Sequence, residues 1–328
     1  MSKANLPWIE KYRPQNLDDI MSQNNIVGAL NKYIDKKLFP HLLFFGPSGC
    51  GKTSTIMCCA KKLYGEYIEY MILRLNSSYD RGIDIIRTKV KNFVSKRTSI
   101  FLPPEQQKIF KIVIMDEIDS MTDEAQGMLR QIIEKNSLST RFCLICNDIN
   151  KINPALQSRC AHFRFSPLKL DQIIERLNFI SQQEKINIYK SAINIIAKIS
   201  MGDMRIALNN LQHIALTYKD TKITKNHIYD IMCYTIPDVI DNIYNLLIKL
   251  SKGKILLENC INDITNIVDD NNITINSLLD GIKNKILESN MKLDKKLYLI
   301  NNLALIEIYN FSNIEYYTNI QIMVAIFV

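Results

Sequence analysis

The stretch His41-Leu42-Leu43-Phe44-Phe45-Gly46-Pro47-Ser48-Gly49-Cys50-Gly51-Lys52-Thr53 decides how the rest of the 328-residue chain is read. An apolar run with strand character ends in GPSGCGKT and passes into a helical pattern from Ser54 to Tyr64. The order strand, glycine loop, helix is the context that gives the spacing G-x-x-x-x-G-K-[ST] its meaning. Gly46, Gly49 and Gly51 let the backbone curl until successive N–H groups face one centre, which suits phosphate oxygens. Lys52 supplies a point charge between outer phosphates, and Thr53 offers a hydroxyl to a magnesium ion. The helix that begins there adds the positive end of its dipole. Gly46, Pro47, Ser48, Gly49, Cys50, Gly51, Lys52, Thr53 and Ser54 are therefore the expected nucleotide-binding set.

A second stretch completes the first. Residues 109–115 are apolar except for Lys111 and lead into Asp116-Glu117. A carboxylate at the carboxyl end of a strand beside a phosphate loop can hold magnesium through water, and its neighbour can polarise an attacking water. That assigns Asp116 to the metal and Glu117 to the base. In isolation the pair would be a solvated strand end; after this glycine loop it predicts ATP binding with the parts for hydrolysis.

The length predicts two or three domains, and an apolar fraction of 47% leaves material for real cores. A net charge of +8 permits nucleic-acid contact without demonstrating it. The N-terminal MSKANLPWIEKYRP has no apolar core of a signal peptide, and the apolar tail 320–328 is too short to span a bilayer, so no membrane role is expected. Cys143 and Cys146 have the spacing of a ligand pair, but no partner pair follows and RFCLICN reads as a buried strand. Zinc is not expected, and the scattered cysteines suit an intracellular, reduced protein.

Along the chain, Trp8, Ile9 and Tyr12 are expected to pack onto the domain, and Tyr12 and Arg13 are candidates for the nucleotide's edge. A helix is predicted at about 24–37. Strands are predicted at 71–76, 141–146 and 161–165, and a helix at 125–133 capped by Thr122. This alternation predicts an α/β core with a parallel sheet over 1–165, its ligand beyond the strands' carboxyl ends. From Ser166-Pro167 the period changes to helices at 171–180, 189–199, 204–218 and 225–232, a small helical lid over 166–234. The remainder, 235–328, carries helical apolar runs near 240–257, 276–287 and 293–327 and reads as an all-helical assembly module. Arg81, Arg87 and Lys91 flank an apolar stripe of Ile83, Ile86 and Val90, which leaves a solvated face and a phosphate-contacting one both open.

WIEKYRP, GPSGCGKTST, LNSSYDRGI, VKNF, MDEIDSMT, TRFCLICN, SRC and GDMR occur in an order that resembles the small subunits of replication factor C, the eukaryotic sliding-clamp loader within the AAA+ ATPases. KLYGE and RFCLICN resemble most the subunit type of the human fourth and yeast second. The resemblance implies a P-loop ATPase domain, a lid and a helical collar. It implies that Asn147 is a first sensor at the terminal phosphate. Arg205, alone a helix-surface arginine, becomes a second sensor, and Arg159 an arginine finger acting on the neighbouring subunit's ATP. It raises the DNA reading of Arg81, Arg87 and Lys91. ATP and Mg2+ are the implied cofactors. The implied partners are a large subunit, three other small subunits, a sliding clamp and primer-template DNA, in the nucleus. The sequence departs from the family pattern at Ile118, at Gln131, where a second arginine is usual, and at Ser48 and Cys50, where GPPGTGKT is commoner. Two alternatives compete: a stand-alone AAA+ remodeller or helicase, and a subunit that binds ATP without hydrolysing it.

Overall fold

The computed structural model describes residues 6–36, 38–78, 86–96, 110–219, 221–232, 237–271, 273–310 and 316–328. Contacts divide the chain into two compact units, Met1–Lys219 and Asp220–Val328.

The first unit is built on five parallel strands: β1 (Leu42–Phe45), β2 (Ile72–Asn76), β3 (Lys111–Asp116), β4 (Thr140–Cys146) and β5 (Ala161–Arg164). Their order is β2-β3-β4-β1-β5. Parallel sheets need both faces covered, which is why the inner strands β1, β3 and β4 read as nearly continuous apolar runs, while the edge strands β2 and β5 carry Arg74, His162 and Arg164. Phe44, Ile114 and Cys143 share one apolar cluster with α2 (Asn24–Asp35) and α3 (Lys52–Tyr64). Leu43, Val113, Phe142 and Cys146 face the other, with α6 (Asp123–Asn136). Cys143 and Cys146 therefore lie on opposite faces of β4, a placement that cannot bring both thiolates to one ion.

The expected boundaries need small changes with physical causes. Helix α3 begins at Lys52, two residues early, because Gly51 supplies its N-cap at φ +96°. Thr122 caps α6 as expected, accepting from the Ala125 N–H at 3.4 Å. Lys111, the polar exception in its strand, is buried and donates to the Phe93 carbonyl oxygen at 2.8 Å and to that of Lys96. Between β2 and β3 a π-helical turn (Ile86–Val90) runs into α5 (Lys91–Ser95), with Val90 fully buried. The short helices α1 (Trp8–Lys11), α4 (Ile68–Met71) and α7 (Pro154–Gln157) complete the α/β part. Helices α8 (Leu170–Gln183), α9 (Lys190–Ile199) and α10 (Met204–Thr217) close the unit, burying Leu177, Ile196 and Leu211.

The second unit is helical: α11 (Lys225–Met232), α12 (Pro237–Ser251), α13 (Leu257–Asp270), α14 (Ile275–Glu288), α15 (Leu293–Asn310) and α16 (Tyr316–Ala325). Its core is Ile243, Leu247, Ile264, Leu278, Ile282, Leu299 and Met323. The expected run at 240–257 stops at Ser251, and α13 is a separate element that its Asn and Asp residues had hidden. Among the described residues no helix is long and apolar enough to cross a membrane.

Candidate active site

The strand order puts β1 between β4 and β5, so the loop after β1 opens at the sheet's carboxyl edge beside the ends of both neighbours. Gly46, at φ +142°, passes so close to β5's end that a β-carbon there would lie 2.2 Å from the Phe165 carbonyl oxygen. The loop then wraps the Lys52 ammonium, whose Nζ donates to the carbonyl oxygens of Gly46 at 2.6 Å and Pro47 at 2.7 Å and to Asn147 Oδ1 at 3.0 Å. Burial holds the Lys52 ammonium below its ordinary value, opposed by Cys50 and Asp116. Burial pushes the Cys50 thiol up, and its Sγ donates to the Pro47 carbonyl oxygen at 2.9 Å.

The Thr53 hydroxyl donates to Asp116 Oδ2 at 2.8 Å. Arg74, on β2, approaches the same carboxylate oxygen at 3.9 Å. Register explains the approach: Asn76 pairs with Asp116, so Arg74 shares its strand face with the neighbouring carboxylate. Glu117 adopts a left-handed backbone at φ +57°, and its carboxylate accepts from the Ser78 hydroxyl. Asp119 Oδ2 accepts from the N–H groups of Asn147 at 3.1 Å and Asp148 at 3.3 Å, fixing the turn that carries Asn147.

These groups border a cavity of about 300 Å³. Ser48, Gly49, Cys50, Gly51, Lys52, Thr53, Ser54, Asp116, Glu117 and Asn147 line it, as do Tyr12, Arg13 and Arg205. Gly46 and Pro47 stand behind this lining as acceptors for Lys52. Tyr12 and Arg13 reach the cavity because their segment is pinned to α8. The Tyr12 hydroxyl and the Lys11 ammonium both bond Glu184, and Arg176 donates to the Tyr12 carbonyl oxygen at 2.9 Å. Burial and the Glu184 hydrogen bond raise the Tyr12 hydroxyl far above its ordinary value. Partial burial pushes Glu184 up, but the bonds from Lys11 and Tyr12 outweigh it and hold the carboxyl below its ordinary value.

Arg159 is not part of this lining. It is exposed, pairs with Glu134 of α6 and donates to the Ala155 carbonyl oxygen. Arg130, beside the Gln131 departure, approaches Glu134 at 3.7 Å. Of the expected DNA contacts, Lys91 is exposed at the start of α5, while Arg81 and the Arg87 side chain lie outside the described residues.

Sequence reasoning missed Arg74, Arg176 and Asp203. Arg74 and Arg176 belong to no spacing rule and become cavity groups only through register and helix docking. Asp203 had a signal, an acidic residue directly before a helical apolar pattern. It caps α10, accepting from Arg205 N at 2.7 Å.

The family model described as ATPase family associated with various cellular activities (AAA) matches residues 42–168. A chain of Acanthamoeba polyphaga mimivirus, named for the replication factor C small subunit, is 53% identical over 99% of this chain and 95% of its own. This chain belongs to the replication factor C small-subunit family. Human replication factor C subunit 5 is 46% identical over 75% of this chain and 70% of its own. That relative is numbered five and lends no support to the human-fourth and yeast-second type read from KLYGE and RFCLICN. The RuvB Holliday junction branch migration motor of Thermotoga maritima has a TM-score of 0.55 at 16% identity, covering 80% of this chain and 86% of its own, a likeness of fold. The chain is thus an AAA P-loop ATPase by family and fold, which implies a nucleotide site.

Proposed function

We propose that this chain is an ATP-binding and ATP-hydrolysing subunit of a replication factor C clamp loader, which opens a ring-shaped sliding clamp and leaves it closed on primer-template DNA. The observation that carries the reading is the convergence of Lys52, Thr53, Asp116 and Asn147 on one cavity, in a chain of this family. The proposed division of labour is an ATPase core over 1–165, a lid over 166–234 and a collar over 235–328.

In this reading Lys52 binds between the outer phosphates, and the loop from Gly46 to Ser54 cradles them with backbone N–H groups. Tyr12 and Arg13 border the nucleotide from the N-terminal segment. Thr53 Oγ1 and Asp116 Oδ2, 2.8 Å apart, are hard oxygen donors, a set that fits Mg2+, which takes few protein ligands beside water and phosphate. When bound, the ion would neutralise charge developing on the phosphates. Glu117 orients and deprotonates a water that attacks the terminal phosphorus as the bond to the ADP oxygen breaks. Asn147 contacts the terminal phosphate and Arg205 closes over it. Arg159 acts in trans on a neighbour's ATP, a role supported by its exposure and its place outside its own cavity. Arg81, Arg87 and Lys91 track the DNA backbone, contacts that position without reading sequence. The partners proposed are a large subunit and three other small subunits, and the compartment is the nucleus.

The test is a loader reconstituted with this chain and its partners. Glu117→Gln should retain ATP binding and lower turnover at this site by about 10²–10⁴, the usual contribution of a positioned base. Unchanged turnover would favour a subunit that only binds ATP. A homohexameric mass for the assembly purified from cell extract would favour a stand-alone remodeller.

A further inference from the structure

One carboxylate, that of Asp203, bonds both the glycine loop and the helix carrying Arg205. Asp203 uses Oδ1 to cap α10, accepting from the N–H groups of Arg205 at 2.7 Å and Ile206 at 3.3 Å. Its Oδ2 accepts from the Ser48 hydroxyl at 2.8 Å. A backbone contact runs beside it, from Met204 N to the Gly49 carbonyl oxygen at 3.4 Å. The approach is so close that a β-carbon on Gly49 would lie 1.8 Å from Asp203 Oδ1. On its other side Asp203 is held by the turn at Gly202, at φ +90°, whose carbonyl oxygen accepts from Leu168 N at 3.2 Å.

We propose that Asp203 is a positioning residue: through its bond to Ser48 it fixes the first turn of α10 against the glycine loop, and so sets where Arg205 meets the nucleotide's terminal phosphate. Three observations carry this. Arg205 lies two residues beyond Asp203, within the turn that Asp203 caps, and lines the cavity with Ser48 and Gly49. A carboxylate beside a phosphate site repels the ligand less when donors are held against its oxygens, and here both oxygens accept from protein donors. Finally, the link depends on a hydroxyl at position 48. A residue without a hydroxyl there, alanine or proline, could not make it.

The inference rests on the ATP-site reading above, and its test separates the two. ATP and ADP affinities are measured by calorimetry on the full-length chain and on Ser48→Ala, Arg205→Ala, the double variant, Asp203→Asn and Lys52→Ala. Ser48→Ala should weaken ATP binding roughly three- to tenfold, within the net range of one ordinary hydrogen bond, which suits an exposed pair, and ADP binding less. In the Arg205→Ala background the same change should cost nothing further, because the link acts through Arg205. Asp203→Asn, which keeps a capping oxygen, should retain most of the affinity. Thermal stability should be unchanged by Ser48→Ala, which a merely structural role would not predict. Equal losses for ATP and ADP, or losses that multiply in the double variant, overturn the inference. So does an unaltered Ser48→Ala. In each of these cases the ATP-site reading stands if wild type binds ATP and Lys52→Ala does not; a wild type that binds no ATP sinks both.

Discussion

The two units of this chain solve the burial problem in opposite ways. The second, from Asp220 on, fills its interior mainly with Ile, Leu, Val and Met, with Cys260 and Phe327, and among the described residues Asn319 is its one buried polar side chain. The first also buries Lys52, Thr53, Lys111 and Gln126, each with named partners. Burying a charge is costly unless it is paired and hydrogen-bonded, so a fold that retains several has a use for them. In the first unit Lys52 and Thr53 sit at the strands' carboxyl edge beside Asp116, whereas Lys111 opens β3 at the opposite edge and Gln126 ties α6 to the Lys151 carbonyl oxygen. The candidate site residues all belong to the first unit.

The largest effect expected from this contrast comes from Lys52→Ala. It removes an ammonium held by three acceptors and leaves the loop without the charge it was built around. ATP affinity at this chain should fall by roughly a hundredfold or more, since charge-assisted contacts at two phosphates are lost. The second unit's helices should be untouched, as read by circular dichroism. Near-normal ATP binding would remove Lys52 from the site.

The reciprocal change is Ile282→Ala, at a fully buried position of α14. Truncating a buried isoleucine costs about 2–5 kcal/mol through lost transfer energy and the cavity left behind. Denaturant unfolding should show that loss while ATP affinity stays at the wild-type value. A parallel fall in ATP affinity would mean that the contact boundary at residues 219 and 220 does not separate two energetic units.

How much of this was legible depended on whether a residue's role follows from its neighbours in sequence. The glycine loop was legible because its geometry demands backbone that few residues adopt, and Gly46, Gly49 and Gly51 all have positive φ. Asp116 and Glu117 were legible because a strand end beside that loop has few other uses. Helix α11 begins at Lys225 and ends at Met232, as its pattern predicted. Arg74 and Arg176 were not legible: each reaches the cavity from an element whose register or docking is set by contacts distant in sequence. Lys111 was seen as an interruption, yet its stem fits the strand's burial while its Nζ finds carbonyl oxygens fifteen or more residues away. In the second unit, Asn and Asp residues diluted the helical pattern, which is why α13 fell in the gap between the runs expected at 240–257 and 276–287.

The smallest effect concerns pH and places the contrast in a titration. His41 precedes β1, half-buried, with its ring against Phe142. Its Nδ1 accepts from the Phe142 N–H at 3.2 Å, a bond that only the neutral ring can make. Burial, with the Arg141 guanidinium in support, lowers its pKa from 6.5 to about 4. Between those values the unfolded chain takes up a proton that the folded chain refuses. Unfolding therefore becomes easier as pH falls from 6.5 towards 4, and below 4 both states are protonated and this contribution stops changing. The stabilisation is complete above 6.5 and lost on acidification. Replacing His41 by phenylalanine should flatten that part of the first unit's stability profile, with a difference of a few degrees in Tm at pH 5 relative to pH 7. Ile282→Ala should shift the second unit's unfolding by the same amount at both pH values, because His41 lies in the other unit. A His41 ring that titrates near 6.5 by NMR, or a slope that survives the phenylalanine, would place the acid sensitivity elsewhere.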